Sequence, residues 1–224
     1  MNTFANILII GLATISTFAA ATNKNIEVIA LEYPPFTTLT TSSGGIAFEI
    51  LTSATSGVDY AWQPYFLPPK RAHQTIKSGN WCASFYPANM STSFIQYQLS
   101  EQTVSVGLVR RKKSDRFNWV NLNELEGSSV AILSTNINSP FARQFTEANM
   151  TKAQVQTVQA GVQMVLLGRV DYAMLDDVSF SRLETKSKNE LQFSESSLLT
   201  TKVSFFVNPE CKVHLPHLPV LLSQ

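Results

Sequence analysis

The sequence predicts an α/β fold made of two successive strand and helix series. Three observations lead there. Over the first hundred residues, short apolar runs alternate with segments whose apolar residues recur at helical spacing. A second series of the same kind follows residue 128. Between them stands Arg110-Arg111-Lys112-Lys113, the densest charge run, which reads as a solvated connection and a candidate boundary. Of the 224 residues 44% are hydrophobic and 15% charged, a composition that can bury a core and argues against disorder. Lys plus Arg number 17 against 16 Asp plus Glu, so the net charge of +1 argues against a nucleic-acid partner. No apolar run reaches the roughly 18 residues of a membrane span, so no stable membrane insertion is expected.

Residues 7–20 are almost wholly apolar and run into Ala19-Ala20-Ala21, a small-residue cleavage pattern. Residues 1–21 therefore read as a secretory signal peptide, and the mature chain as periplasmic or secreted. Residues 26–31 form a strand-like run that stops at Tyr33-Pro34-Pro35-Phe36, where two prolines end the ladder. Ile46, Ala47, Ile50, Leu51 and Ala54 recur at helical spacing up to Gly57. Tyr60-Ala61-Trp62 begins a second strand, Pro68-Pro69 opens a helix that stops at Gly79, and residues 81–86 make a third strand. Strands alternating with helices suggest a parallel sheet.

Residues 104–109 are the next strand candidate and lead into the charge run. Residues 129–133 read as a strand, and Ser139-Pro140 carries the cap and first-turn proline of a helix with Phe141, Phe145 and Ala148 inward. A strand at 155–158, a short helix through Val162, Val165 and Leu166, and a strand at 170–175 ending on Asp176-Asp177 complete the series. Residues 203–207 form a late strand that Pro209 breaks.

No nucleophile elbow, phosphate-binding loop or dinucleotide fingerprint is present. His73, His214 and His217 form no metal-ligand pattern, so no metal and no cofactor are expected. Weight shifts from enzyme to binding module. Cys82 and Cys211 would both be exported, where they either bridge or stay as buried thiols.

Several stretches stand out by their order along the chain. They are Leu31-Glu32-Tyr33-Pro34-Pro35-Phe36 with Gly45-Ile46-Ala47-Phe48-Glu49, and Pro68-Pro69-Lys70-Arg71-Ala72 with Gly79. Residues 94–100 and 104–112 follow, then Leu125-Glu126-Gly127 with Val130-Ala131-Ile132, and last residues 168–176. In this order the stretches resemble the family 3 extracellular solute-binding proteins, the receptors of amino-acid-type ABC importers, over about residues 26–208. The resemblance implies a two-lobed, type 2 periplasmic-binding-protein-like fold with two interlobe crossings. Lobe one would be residues 22–107 plus 204–224, and lobe two residues 108–203. It implies capture of a small polar solute, amino-acid-like or amine, between the lobes of a monomer, for an ABC permease or a sensor. The location agrees with the rule that open α/β sheets bind ligands beyond the carboxyl ends of their strands.

The candidate ligand-binding residues are Tyr33, Phe36, Trp62, Arg71, Ser134, Thr135 and Asp176. Tyr33 and Phe36 would pack on the ligand, or Phe36 would be core. Trp62 stands near the second strand's end as another wall or as core packing. Arg71, a cation in the first turn of a helix, would bind an anionic group or lie on the surface. Ser134 and Thr135 precede a helix start and would hold a carboxylate or make an ordinary turn. Asp176 matches the family position that accepts the ligand's amino group, and it also suits an N-cap for a helix at 178–183.

Two family features are missing. The arginine that clamps a ligand carboxylate aligns with Ser93, and the family's acidic residue after the glycine aligns with Ala47. A standard α-amino acid is therefore a poor fit. Two other classes remain: a dehydratase on this scaffold, with Glu49 or Asp176 as acid or base, and a degenerate interaction protein.

Overall fold

The computed structural model describes residues 24–57, 60–88, 93–134 and 139–212. The proposed leader, Thr135, His214 and His217 lie outside the described residues. In chain order the first half gives strand β1 (Lys24–Ala30), helix α1 (Ile46–Ala54), β2 (Tyr60–Phe66), α2 (Pro69–Ser78) and β3 (Ala83–Ser84). The long strand β4 (Ile95–Arg111) leads to a 3-10 turn at Leu122–Leu125. Then come β5 (Ser129–Leu133), α3 (Pro140–Glu147), β6 (Thr151–Val155), α4 (Val158–Leu166), β7 (Tyr172–Asp176) and α5 (Asp177–Ser181). The last elements are α6 (Thr185–Glu190), β8 (Leu191–Phe193), β9 (Leu199–Val207) and α7 (Pro209–Lys212).

The strands form one sheet in the order β2-β1-β3-β9-β4-β7-β5-β6, with β8 also on β4. The sheet is mixed rather than parallel. β1 lies parallel to β2 and β3, and β5 parallel to β6 and β7, as helical crossovers require. β4 and β9 run antiparallel to each other and to their other neighbours. The expected strand at 104–109 is the second half of β4. Its first half is mostly polar and exposed, which hides it from a search for apolar runs. β9 pairs with β4 from Ile95 to Val106, with a register shift between Gln98 and Thr103. These two strands are the connections between the halves.

β1 reads as a nearly continuous apolar run because both its faces are covered. Ile26, Val28 and Ala30 pack with Phe48 and Leu51 of α1 and with Phe205. Ile29 points to the other face, against Leu67, Ala72 and Ile76 of α2 and Trp81. A separate core holds Leu108, Val109, Val130, Phe145, Val165 and Leu175 with their neighbours. Pro64 lies within β2, which tolerates it because β2 is an edge strand.

The charge run departs from the expected solvated connection at its first residue. Arg110 is only 7% exposed. Its guanidinium donates to Gln192 Oε1 at 3.1 Å, to Asp115 O at 3.0 Å and to Asp115 Oδ2 at 2.9 Å. It also stands 4.4 Å over the Phe117 ring. Arg110 therefore fastens the end of β4 to the loop that follows, while Arg111 to Lys113 stay exposed. Cys82 and Cys211 are joined in a disulfide, with 5.4 Å between their Cα atoms.

Candidate functional site

The turn after β1 is built to present two rings. Tyr33 and Thr37 exchange backbone bonds, with Tyr33 N donating to Thr37 O at 2.8 Å and Thr37 N to Tyr33 O at 3.1 Å. The Thr37 hydroxyl donates to Leu31 O at 2.7 Å. Gly45 has φ 105°, and a Cβ there would stand 2.5 Å from Phe36 O. That close approach lets the first N–H groups of α1 reach the turn: Ile46 N donates to Pro35 O at 3.1 Å and Ala47 N to Phe36 O at 2.9 Å. The turn carbonyls thus replace a side-chain cap, which α1 lacks. Tyr33 and Phe36 stand side by side, ring centroids 6.3 Å apart.

From the other half, Asp176 ends β7, opposite Val106 of β4. It is 1% exposed. Its Oδ1 accepts from Ser179 N at 2.8 Å and caps α5, while its Oδ2 has no hydrogen-bond partner. Ser179 Oγ crosses to the first half and donates to Pro34 O at 2.9 Å. Asp177, in the first turn of α5, accepts from Ser105 N at 3.2 Å. Burial, and then the charge of Asp176, hold the Tyr33 phenol well above its usual pKa of 10. Hydrogen bonding to the Asp176 carboxylate adds to the rise, so the phenol stands against Asp176, although Oδ2 has no partner at full hydrogen-bond geometry.

Between the halves lies a cavity of about 790 Å³. Tyr33, Phe36, Ala47, His73 and Phe85 line it from the first half. Ile132, Leu133, Ser139, Phe141, Met174 and Asp176 line it from the second. β4 and β9 form its back through Gln96, Val104, Val106, Thr201 and Phe206. Its walls are chiefly apolar, more so than a small polar solute calls for.

No family model and no curated protein matches this chain. Solved structures do. The GluR0 ligand-binding core of Nostoc punctiforme, in complex with L-glutamate, is 15% identical, with a TM-score of 0.67 over 88% of this chain and 92% of that one. An ancestral arginine-binding protein bound to arginine is 12% identical, with a TM-score of 0.71 over 90% and 92%. A periplasmic binding protein of an arginine transport system from Legionella pneumophila is 13% identical, with a TM-score of 0.67 over 89% and 93%. The chain has the two-lobed periplasmic-binding-protein-like fold.

In that fold the cavity is the interlobe cleft, and β4 and β9 are the two crossings. Of the sequence candidates, Tyr33, Phe36 and Asp176 meet at the cleft. Trp62 does not. It packs edge-on against Phe205 at 5.4 Å and donates its indole N–H to Thr55 Oγ1 at 2.7 Å, between β2 and α1. Arg71 is exposed and does not line the cleft. His73 does, and two residues along a helix turn the side chain by roughly 200°, so Arg71 points away. Ser134 is buried and donates to Gln154 Oε1 at 3.0 Å. Its part of the wall is taken by Ser139, Pro140 and Phe141. Glu49 is exposed, accepts from Ser43 Oγ at 2.8 Å and does not line the cleft with Asp176.

The sequence reading missed His73, Phe85, Phe94 and Phe141 as cleft residues. Phe141 carried a signal: it directly follows the Ser139-Pro140 helix start beyond β5, where the strand-end rule places ligands. Burial, and then the charge of Lys77, lower the pKa of His73 below its usual 6.5, which favours the neutral imidazole.

Proposed function

We propose that this protein is a solute-binding protein that captures a small ligand between its lobes and performs no catalysis. The ligand would be amino-acid-like or an amine. The observation that carries the reading is Asp176: a carboxylate buried at the interlobe cleft with one oxygen capping a helix and the other unpartnered. An unpaired buried charge is costly, and a ligand ammonium would supply the missing partner. The fold supports the same reading, since its solved examples include proteins bound to glutamate and to arginine.

On this proposal residues 1–21 are a leader, and the mature monomer works in the periplasm or outside the cell for an ABC permease or a sensor. Lobe one comprises residues 22–107 plus 204–224, and lobe two residues 108–203. Closure turns about β4 and β9. The dehydratase alternative finds no support in the cleft, where Glu49 stands apart from Asp176.

A thermal-shift screen of amino acids and amines tests the reading, followed by calorimetry on Asp176→Asn. Asn keeps the capping oxygen, so stability should hold while affinity for a cationic ligand falls about ten- to a hundredfold, about 1.5–3 kcal/mol. Unchanged affinity at unchanged stability would leave Asp176 a helix cap only. A panel in which nothing binds would overturn the solute-binding reading itself.

A further inference from the structure

We propose, resting on the solute-binding reading above, that the cleft selects a primary amine with an aromatic body and no carboxylate. Three observations carry this. The first is the polarity of the anchor. Asp176 lines the cleft, and its buried Oδ2 has no partner at full hydrogen-bond geometry, so the site asks for a donor and a positive charge at that point. Tyr33 lines the same cleft close to Asp176, and its ring offers a second favourable contact for an ammonium.

The second is the absence of a matching site for an anion. No arginine is among the described residues that line the cleft. The lining residues able to carry a positive charge are Lys202 and His73. Lys202 is already paired with Glu101 Oε2 at 2.8 Å. The lowered pKa of His73 favours its neutral form. A ligand carboxylate entering this cleft would lose its water without gaining a bidentate partner, and it would sit in the same cavity as the Asp176 charge. An α-amino acid carries that penalty, and the corresponding amine does not.

The third is the wall. Phe36, Phe85, Phe94, Phe141 and Phe206 line the cleft from both lobes and from the crossing strand β9. Phe94 and Phe206 meet edge to face at 5.9 Å. Rings in that number bury a flat apolar body, and offset or edge contacts add to the area they cover. An aliphatic diamine would carry its second charge into this wall.

Calorimetry with 2-phenylethylamine, L-phenylalanine and 3-phenylpropanoate at neutral pH separates the three parts. The amine should bind at least tenfold more tightly than L-phenylalanine, and 3-phenylpropanoate should not bind. Asp176→Asn should weaken the amine at least tenfold without lowering the melting temperature. Equal or tighter binding of L-phenylalanine, or binding of 3-phenylpropanoate, overturns the inference. If arginine or glutamate binds and 2-phenylethylamine does not, the inference falls while the solute-binding reading stands. If no amino acid and no amine binds, both fall. The comparison among ligands uses the unaltered protein, so it holds even if the variant misfolds.

Discussion

Tyr33 couples the chemistry of the cleft to pH. Its phenol is held above 10 by burial and then by the Asp176 charge. Burial also raises Tyr86, to about 12, and raises Tyr97 and Tyr172. A raised pKa means that the folded state keeps a proton the unfolded chain has lost, so stability falls as pH rises through 10 toward the folded values. Melting temperatures should thus be level near pH 8 to about pH 9 and drop steeply above about pH 10. Tyr33→Phe should soften that drop, since it removes one group that must ionise in a buried site. A variant that loses stability as steeply as the parent would show that Tyr33 ionises freely. At the same scale Gly107 is fixed by contact. A Cβ there would meet Ser194 Oγ at 2.5 Å and the Phe193 ring at 2.9 Å. Ser194 Oγ is held from two sides, accepting from Leu108 N at 3.0 Å and donating to Ser196 O at 2.6 Å, so it has no room to retreat. Gly107→Ala should cost about 1–3 kcal/mol, read as a fall in melting temperature. An unchanged midpoint would mean that β4 shifts to accommodate the methyl.

At the scale of elements, β4 joins the lobes, and Arg110 secures its far end. The guanidinium is nearly buried, while its partner Asp115 is open to water. The two ends of the pair should therefore respond unequally. Arg110→Met keeps the stem but takes the donor from Gln192 Oε1 and from Asp115 Oδ2, while Asp115 O keeps its bond from Gln192 Nε2 at 3.0 Å; the loss should be about 1–3 kcal/mol. Asp115→Ala leaves the guanidinium its carbonyl, amide and ring contacts, so its effect should be clearly smaller. Denaturant midpoints of the two variants decide this, and equal losses would make the ion pair itself the main contact. The same strand shows what a sequence reveals. Residues 104–109 are apolar and legible, whereas residues 95–103 take their strand form from pairing with β9 across a hundred residues of chain. Helix starts were legible because proline and serine act locally, as at Pro69 and at Ser139-Pro140. β6 was expected at 155–158 and lies at Thr151–Val155, because only Val155 of its five residues is fully buried. Within the cleft, Asp176 and Tyr33 were legible from their places at strand ends. Arg71 was misplaced by helix phase, and Trp62 by a hydrogen bond to Thr55 that no spacing announces.

For the whole molecule, the C-terminal return to lobe one decides how the ends of the fold are held. Asn208 donates through Nδ2 to Gly79 O and Trp81 O, both at 3.0 Å, and through its backbone N–H to Cys82 O at 2.9 Å. The disulfide from Cys82 to Cys211 adds a covalent tie at the same place, across 129 residues of sequence. The chain runs out along β4 and back along β9, so the closed loop contains every element from β4 to β9. Yet both cysteines lie on the lobe-one side, and neither lines the cleft. The bridge therefore constrains the unfolded chain without tying one lobe to the other. Replacing both cysteines by alanine should lower stability by about 2–4 kcal/mol, with ligand affinity and closure unchanged. Denaturant titration measures the first, and calorimetry with small-angle scattering the second. Alkylation of the unreduced, denatured protein should find no free thiol. A double variant with unaltered stability would place the hold on the C-terminal segment in the Asn208 hydrogen bonds. A large loss of affinity would mean that the bridge shapes the lobe-one wall of the cleft through β3 and Phe85.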